Sequence, residues 1–274
     1  MTHTLHLQEL TEHLGYAVHG VDLSAPLPSG AADLLRGALA TRGLLVFRNQ
    51  DITSEQQAEF ARIFGRFTRQ GPVHSVSPDC TYISNARPDG AFGNGELAFH
   101  YDHSYYEHPI KVLMLYGIEI PDDGGETLFT SSAAAVRHMP ESLRSELAGR
   151  QVLNQLDYAS LLDDRKDLKA VQVQAWHPAL TTHAPSGQPV VMVVRERSKR
   201  FNDLEGKDAM ELIEATHSVL SDPKLVYRHK WAPGDLLVWD NLLMQHARTP
   251  FESTQKRTLR RCAIAHDLEP ATAH

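Results

Sequence analysis

Residues 235 to 265 read DLLVWDNLLMQHARTPFESTQKRTLRRCAIA, and the architecture is decided here. An apolar run, Leu236 to Trp239, stops at the turn-forming pair Asp240-Asn241; His246 follows, and a second run begins at Thr258. Short apolar runs bounded by turn residues read as strands. Side chains alternate along a strand, so Arg257, Leu259 and Arg261 share one face of the second. Two guanidinium groups aimed inward are costly to bury unless each meets an anion. The segment predicts a pocket that takes something dianionic.

Similar runs recur back to about residue 80: TYIS (81–84), LAFHYD (97–102), KVLMLYGIEI (111–120), GETLFTS (125–131), AVQVQAW (170–176) and PVVMVVRE (189–196). PDDGG at 121–125 and APGD at 232–235 supply turns between them. Many short strands with such turns predict a sandwich or barrel. The first third is more helical. Leu34, Leu35, Ala38 and Leu39 form one stripe over residues 31–42, Gly43 closes that helix, and LLVFR (44–48) follows as a strand. A second helix starts at Thr53 or Ser54 as N-cap and runs through Phe60, Ile63 and Phe64 to Gly65. Further helices are expected around 132–149 and 206–220, and the charged DYASLLDDRKDLK (157–169) reads as a surface insertion. With no repeat or linker, residues 1–274 are expected to form one domain.

Composition narrows the function. Hydrophobic residues are 42% and charged residues 22% of 274, ordinary for a globular chain rather than a disordered one. A net charge of -7 and no clustered basic footprint argue against a nucleic-acid partner. No run approaches the ~18 apolar residues of a membrane span. With no basic stretch followed by an apolar one, residues 1–23 are not expected to act as a secretory signal. Cys80 and Cys262 lie far apart without CxxC spacing, so neither a disulfide scaffold nor a cysteine zinc site is encoded. A reducing cytoplasm is the expected setting.

Sixteen histidines and 34 acidic residues would give about two His-x-Asp/Glu matches by chance, and there is one, His100-Tyr101-Asp102. On a strand His100 and Asp102 point to the same face and reach one metal ion together, while Tyr101 and His103 point away. An imidazole and a carboxylate are two thirds of the facial triad that leaves open positions on non-haem Fe(II). The best source of a second imidazole is His246. The cluster His103, Tyr105, Tyr106 and His108 is not expected to form a second metal site; Tyr105 or Tyr106 is expected in the pocket wall. The run RERSKR (195–200) reads as a basic solvated edge beside the acidic NDLEGKD.

At these residues the chain resembles the Fe(II)/2-oxoglutarate-dependent dioxygenases of the taurine dioxygenase type, which include the 2,4-D and alkylsulfate dioxygenases. The resemblance runs through GYAVHGVDLSAPL, LLVFRNQDITSEQQAEFARIFG, HYD at 100–102, IPDDGGETLFTS at 120–131, WHPALTTHAPSGQPVV at 176–191 and the C-terminal segment. Thr127 lies 25 residues after Asp102 and Arg257 lies 11 after His246, as in the family. It implies an α+β, mainly β fold with a double-stranded β-helix (jelly-roll) core and flanking helices. It implies that His100, Asp102 and His246 bind Fe(II), and that Thr127 and Arg257 bind the distal carboxylate of 2-oxoglutarate. An arginine fork donates two parallel hydrogen bonds to such a carboxylate. Arg261 would lie near the C1 carboxylate and the substrate anion. The implied reaction consumes O2, releases succinate and CO2, and hydroxylates the substrate; Asp102 favours hydroxylation over halogenation.

The resemblance places the substrate near GNGELAF (93–99) and QGPVHSV (70–76). Glu96 stands where taurine enzymes carry an uncharged amide, so a substrate bearing both an amine and an anion is expected to pair with it. Tyr105 and Arg261 are the other expected substrate contacts. Homo-oligomers, dimers or tetramers, are also implied. Two rival readings are a zinc hydrolase using the same three ligands, which leaves Thr127 and Arg257 unexplained, and a catalytically silent binding protein, for which a lost ligand would be the usual sign.

Overall fold

The computed structural model describes residues 4–69, 80–91, 93–157 and 172–268. The first third forms β1 (His6–Glu9), β2 (Tyr16–His19), α1 (Ala31–Arg42), β3 (Leu44–Phe47) and α2 (Ser54–Ala61). Next come β4 (Cys80–Ser84), β5 (Gly90–Ala91), β6 (Leu97–His100), β7 (Val112–Glu119), β8 (Thr127–Ser131), α3 (Ser132–His138), α4 (Glu141–Leu147) and β9 (Gln151–Asp157). The rest carries β10 (Gln172–Pro178), β11 (Leu180–Thr182), β12 (Pro189–Val191), β13 (Ser198–Phe201), α5 (Gly206–Leu220), β14 (Val226–His229), β15 (Leu236–Asp240), β16 (Met244–Arg248) and β17 (Thr258–Ile264).

Local chemistry sets most boundaries. Helix α1 ends at Gly43, whose φ of 73° suits a residue without a Cβ. Helix α2 opens on a capping box in which Thr53 accepts from the Gln56 N–H and the Gln56 side chain accepts from the Thr53 N–H. A 3-10 turn at Arg62–Phe64 then leads to Gly65. The stretch 132–149 holds two helices rather than one, because α3 stops before Pro140, which has no N–H to continue it. Leu34 points outward, while Ala31, Leu35, Ala38 and Leu39 form the buried stripe of α1.

Two sheets position the site. An eight-stranded sheet runs β1-β2-β3-β15-β7-β17-β4-β5, and a four-stranded sheet runs β14-β8-β16-β6. They pack face to face through Leu113, Leu237 and Leu259 on one side and Phe129 and Met244 on the other, with the Phe129 and Trp239 rings edge-on at 5.4 Å. Each fully buried leucine there contributes about 1.5–3 kcal/mol. The other face of the large sheet is covered by α1 and α2, with Leu35, Leu39 and Phe60 against Phe47, Met114 and Ile264. Strand β17 serves both faces by period two. Leu259 and Ala263 point between the sheets, and Cys262 and Ile264 point toward the helices. Arg260, on the helix side, donates to Gln57 Oε1 at 2.6 Å and to the Ile52 carbonyl at 2.8 Å. A third core around Phe201 and Ile213 joins α3, α4 and α5 to β9, β12 and β13.

The strand expectations are corrected at two places. Strand β6 stops at His100, so Asp102 lies in the following turn. The strand expected over 189–196 ends at Val191. Cys80 and Cys262, distant in sequence, are register partners across β4 and β17, both buried, with Sγ atoms 2.7 Å apart. Spacing along the chain carries no information about register across a sheet. Residues 70–76, and all of the charged stretch after Asp157, lie outside the described residues.

Candidate active site

Sheet register creates the centre of the site. Strand β16 lies between β8 and β6, and His246 pairs across the ladder with His100. Their rings sit 4.3 Å apart, centroid to centroid. The third group arrives from the turn. The Asn241 side chain, completely buried at the end of β15, accepts from the Asp102 N–H at 3.0 Å and donates to the Asp102 carbonyl at 2.9 Å and the Ile110 carbonyl at 2.8 Å. Asp102 Oδ1 thereby comes within 3.3 Å of His100 Nε2 and 3.9 Å of His246 Nε2. One donor atom from each residue lies within 4.8 Å of the others.

Electrostatics favour a cation at this point. His100 Nδ1 lies 2.8 Å from the Ala98 carbonyl, which can only accept, so Nδ1 donates there and Nε2 is the nitrogen turned to the centre. Burial, and then the His100 ring, push the His246 pKa down to about 3, so its imidazole is neutral. Burial alone would raise the Asp102 carboxyl, but the Arg261 guanidinium beside it, helped by both imidazoles, holds it well below the usual carboxylate range. Arg261 Nη2 donates to Asp102 Oδ2 at 2.6 Å. Two imidazoles and one carboxylate are the chemistry that suits Fe(II) and leaves coordination positions open.

A cavity of about 160 Å³ extends from this centre. Its closed end holds Thr127, Trp239, Arg248 and Arg257. Thr127 is buried, with its Oγ1 accepting from Trp231 Nε1 at 2.9 Å. Arg257 is 2% exposed, and its Nε donates to the Gly125 carbonyl at 3.0 Å. Burial, with Arg248 adding like charge, pushes the Arg257 pKa down to about 9, so the guanidinium is still charged at neutral pH. Gly125 is required: at φ 66° its absent Cβ would lie 3.0 Å from Arg257 Cδ. Arg248 donates through Nε to the Gly95 carbonyl at 3.0 Å, and burial pushes its pKa down to about 10.

Ile83, Leu97 and Leu156, on strands, line the rest of the wall, and Tyr105, Glu196 and Arg197, on turns and half-buried or exposed, make its rim, with His103 beside them. Of the expected site residues, His100, Asp102, Thr127, Tyr105, His246, Arg257 and Arg261 all border this one cavity. Glu96 does not; it is exposed and outside the wall, and the carboxylate at the rim is that of Glu196. His103 does not point away from the centre as strand alternation implied. It lines the cavity because the chain has turned at φ 61°. Arg248 and Asn241 were missed. Arg248 follows His246 by two along one strand, so period two marks it, whereas Asn241 reads only as a turn residue.

Packed sheets holding two imidazoles and a carboxylate at one end of such a cavity define the non-haem iron oxygenases as a class. The family model described as "Taurine catabolism dioxygenase TauD, TfdA family" matches residues 6–263, and the chain belongs to that family. The (S)-phenoxypropionate/alpha-ketoglutarate-dioxygenase of Sphingobium herbicidovorans is 28% identical over 298 residues, covering 100% of both chains. The alpha-ketoglutarate-dependent sulfate ester dioxygenase of Pseudomonas putida is 28% identical over 281 residues, 96% of this chain and 92% of that one. The crystal structure of a taurine dioxygenase from Burkholderia xenovorans superposes with a TM-score of 0.80 at 25% identity, over 96% of this chain and 91% of that one. The protein is a 2-oxoglutarate-dependent dioxygenase that uses Fe(II) and O2.

Proposed function

We propose that the enzyme hydroxylates a small anionic organic molecule in this cavity, with His100, Asp102 and His246 as the iron ligands. The observation that carries the reading is the convergence of the three donor atoms within 4.8 Å beside the buried Arg257. Two relatives act, by name, on (S)-phenoxypropionate and on sulfate esters, both anions. The two packed sheets are read as the halves of a double-stranded β-helix, and residues 1–274 as one domain. The two buried free thiols accord with a cytoplasmic setting. A homo-oligomer is proposed from the family resemblance alone.

When bound, Fe(II) supplies the redox chemistry that couples decarboxylation of 2-oxoglutarate to oxidation of the substrate. The chain's own residues do the rest. Arg257 spends its Nε on Gly125, which leaves the two Nη groups to donate to the distal carboxylate of 2-oxoglutarate. Thr127, oriented by Trp231, offers its hydroxyl to the same carboxylate. Arg261 neutralises Asp102 and fixes its Oδ2, so that Oδ1 faces the imidazoles. Phe129 and Trp239 pack against the His246 ring and keep water from that side. A zinc hydrolase would need no oxo-acid site and leaves Arg257 and Thr127 without a task.

The test is anaerobic addition of Fe(II) and 2-oxoglutarate, read as the weak visible charge-transfer absorption. Wild type is expected to show the band and His246→Ala to lack it. An iron-replete wild type without the band would refute the assignment.

A further inference from the structure

We infer that Arg197 is an anion-holding residue for the primary substrate. The inference rests on the dioxygenase reading above and names the group that selects the molecule to be oxidised. Every other arginine bordering the cavity has at least one protein partner. Arg261 pairs with Asp102, Arg257 with the Gly125 carbonyl and, in the proposed reaction, with 2-oxoglutarate, and Arg248 with the Gly95 carbonyl. The basic run around Arg197 is engaged in the same way. Arg195 pairs with Glu214 at 2.8 Å, Lys199 donates to the Glu196 carbonyl, and Arg200 stacks on Trp176 at 5.1 Å. Arg197 is half-buried, borders the cavity and has no ion pair or side-chain hydrogen bond among the described residues.

The turn that carries it is fixed from behind. Ser198 Oγ accepts from the Val194 N–H at 2.9 Å and donates to Asn154 Oδ1 at 2.7 Å, and Asn154 Nδ2 donates to the Met192 carbonyl at 3.0 Å. Asn154 and Ser198 are buried, and the Arg197 carbonyl accepts from the Gln155 N–H at 2.9 Å. The guanidinium therefore stands on a rigid base, and little backbone entropy is lost when it meets an anion. A half-buried, unpaired fork with fixed backbone suits a carboxylate or a sulfate oxyanion. Glu196 borders the same rim but is exposed, so water screens its opposing charge.

The base of Arg197 belongs to the β10-β9-β13 sheet, whereas the metal donors come from β6, β16 and the turn after β6. Ile83, Leu97 and Leu156 line the wall as well. The substrate class that fits is an amphipathic molecule whose oxyanion meets Arg197 and whose apolar body packs on these side chains.

The experiment uses the full chain loaded anaerobically with Fe(II) and 2-oxoglutarate. Phenoxyacetate and benzyl sulfate are titrated beside the neutral 2-phenoxyethanol and benzyl alcohol, and binding is read as the perturbation of the visible band. Wild type is expected to bind at least one anion more tightly than its neutral partner. Arg197→Met is expected to weaken that anion by about 10- to 100-fold, as for one lost charge-assisted contact, with the neutral partner within about twofold. Arg197→Lys, which keeps the charge and loses the fork, should recover part of the difference and shows that the turn still folds. Equal anion binding by wild type and Arg197→Met overturns the inference. So does a wild type that forms the band and prefers no anion. A wild type without the band refutes the dioxygenase reading itself, a separate result.

Discussion

The two ends of the cavity are built differently. At the closed end Thr127, Trp239 and His246 stand on strands of the packed sheets and are buried, and Arg257 immediately precedes β17. At the rim Tyr105, Glu196 and Arg197, with His103 beside them, stand on turns and are half-buried or exposed, whereas the wall behind is again built from strands. A strand residue cannot change face without moving its whole strand by one register, whereas a turn residue can be replaced alone. Reaction chemistry is thus tied to sheet register, and choice of substrate to turns that vary without it.

That contrast can be broken by substitution, and the largest effect belongs to the strands. His246→Ala should abolish Fe(II) binding while far-ultraviolet circular dichroism stays unchanged. Arg257→Met should raise the KM for 2-oxoglutarate by about 100-fold, since a buried charge-assisted carboxylate contact is lost. Asn241→Ala sits between the two regions: it leaves the histidines in register and releases only the Asp102 turn. Fe(II) affinity measured by titration should fall by about 10-fold, the usual size for a group that orients a ligand. Ser198→Ala should weaken binding of the anionic substrate a few-fold while leaving the KM for 2-oxoglutarate alone; parallel losses in both would mean the ends are not independent. Glu96→Gln should change neither constant, because Glu96 is exposed and outside the wall.

Acid should act on stability through buried histidines away from the metal donors. Burial lowers the pKa of His177, despite its bond to the Ser104 carbonyl, and likewise that of His229, despite its bond to Asp235. Both are neutral in the fold, while in the unfolded chain they take up protons near the ordinary histidine pKa of about 6.5. Their contribution is therefore complete above that pH and is lost as pH falls from there toward their lower folded values. The melting temperature should be flat from pH 8 to 7 and fall between pH 6.5 and 5, and His229→Asn should flatten part of that fall.

Much of the closed end was legible in the sequence because strands obey a simple period. Arg257, Leu259 and Arg261 fell on one face by counting twos, and β17 keeps that count. His100 and Asp102 were paired for a reason that holds only in part, since the strand ends at His100 and a side-chain clamp brings Asp102 in. The rim was not legible for the same physical reason. His103 and Arg197 sit on turns, where no period relates neighbours, and Glu96 was expected from the family resemblance, which gave no sign of Glu196. The cysteine pair, 182 residues apart, depends on long-range register that no local pattern encodes.

The placement of β17 has a kinetic consequence. It is the last of the described strands, yet it lies inside the large sheet between β7 and β4. Until it inserts, that sheet exists as two separate pieces, and β7 presents an open edge able to pair with other chains. Pairings of such high sequence separation are slow to form, so closure of the sheet should be a late event. Arg257, proposed above to hold 2-oxoglutarate, arrives with that strand, so an incompletely folded chain could gather its histidines and still hold no 2-oxoglutarate. The meeting of Cys80 with Cys262 marks the same moment, and the rate at which the two thiols become protected from alkylation during refolding would time it.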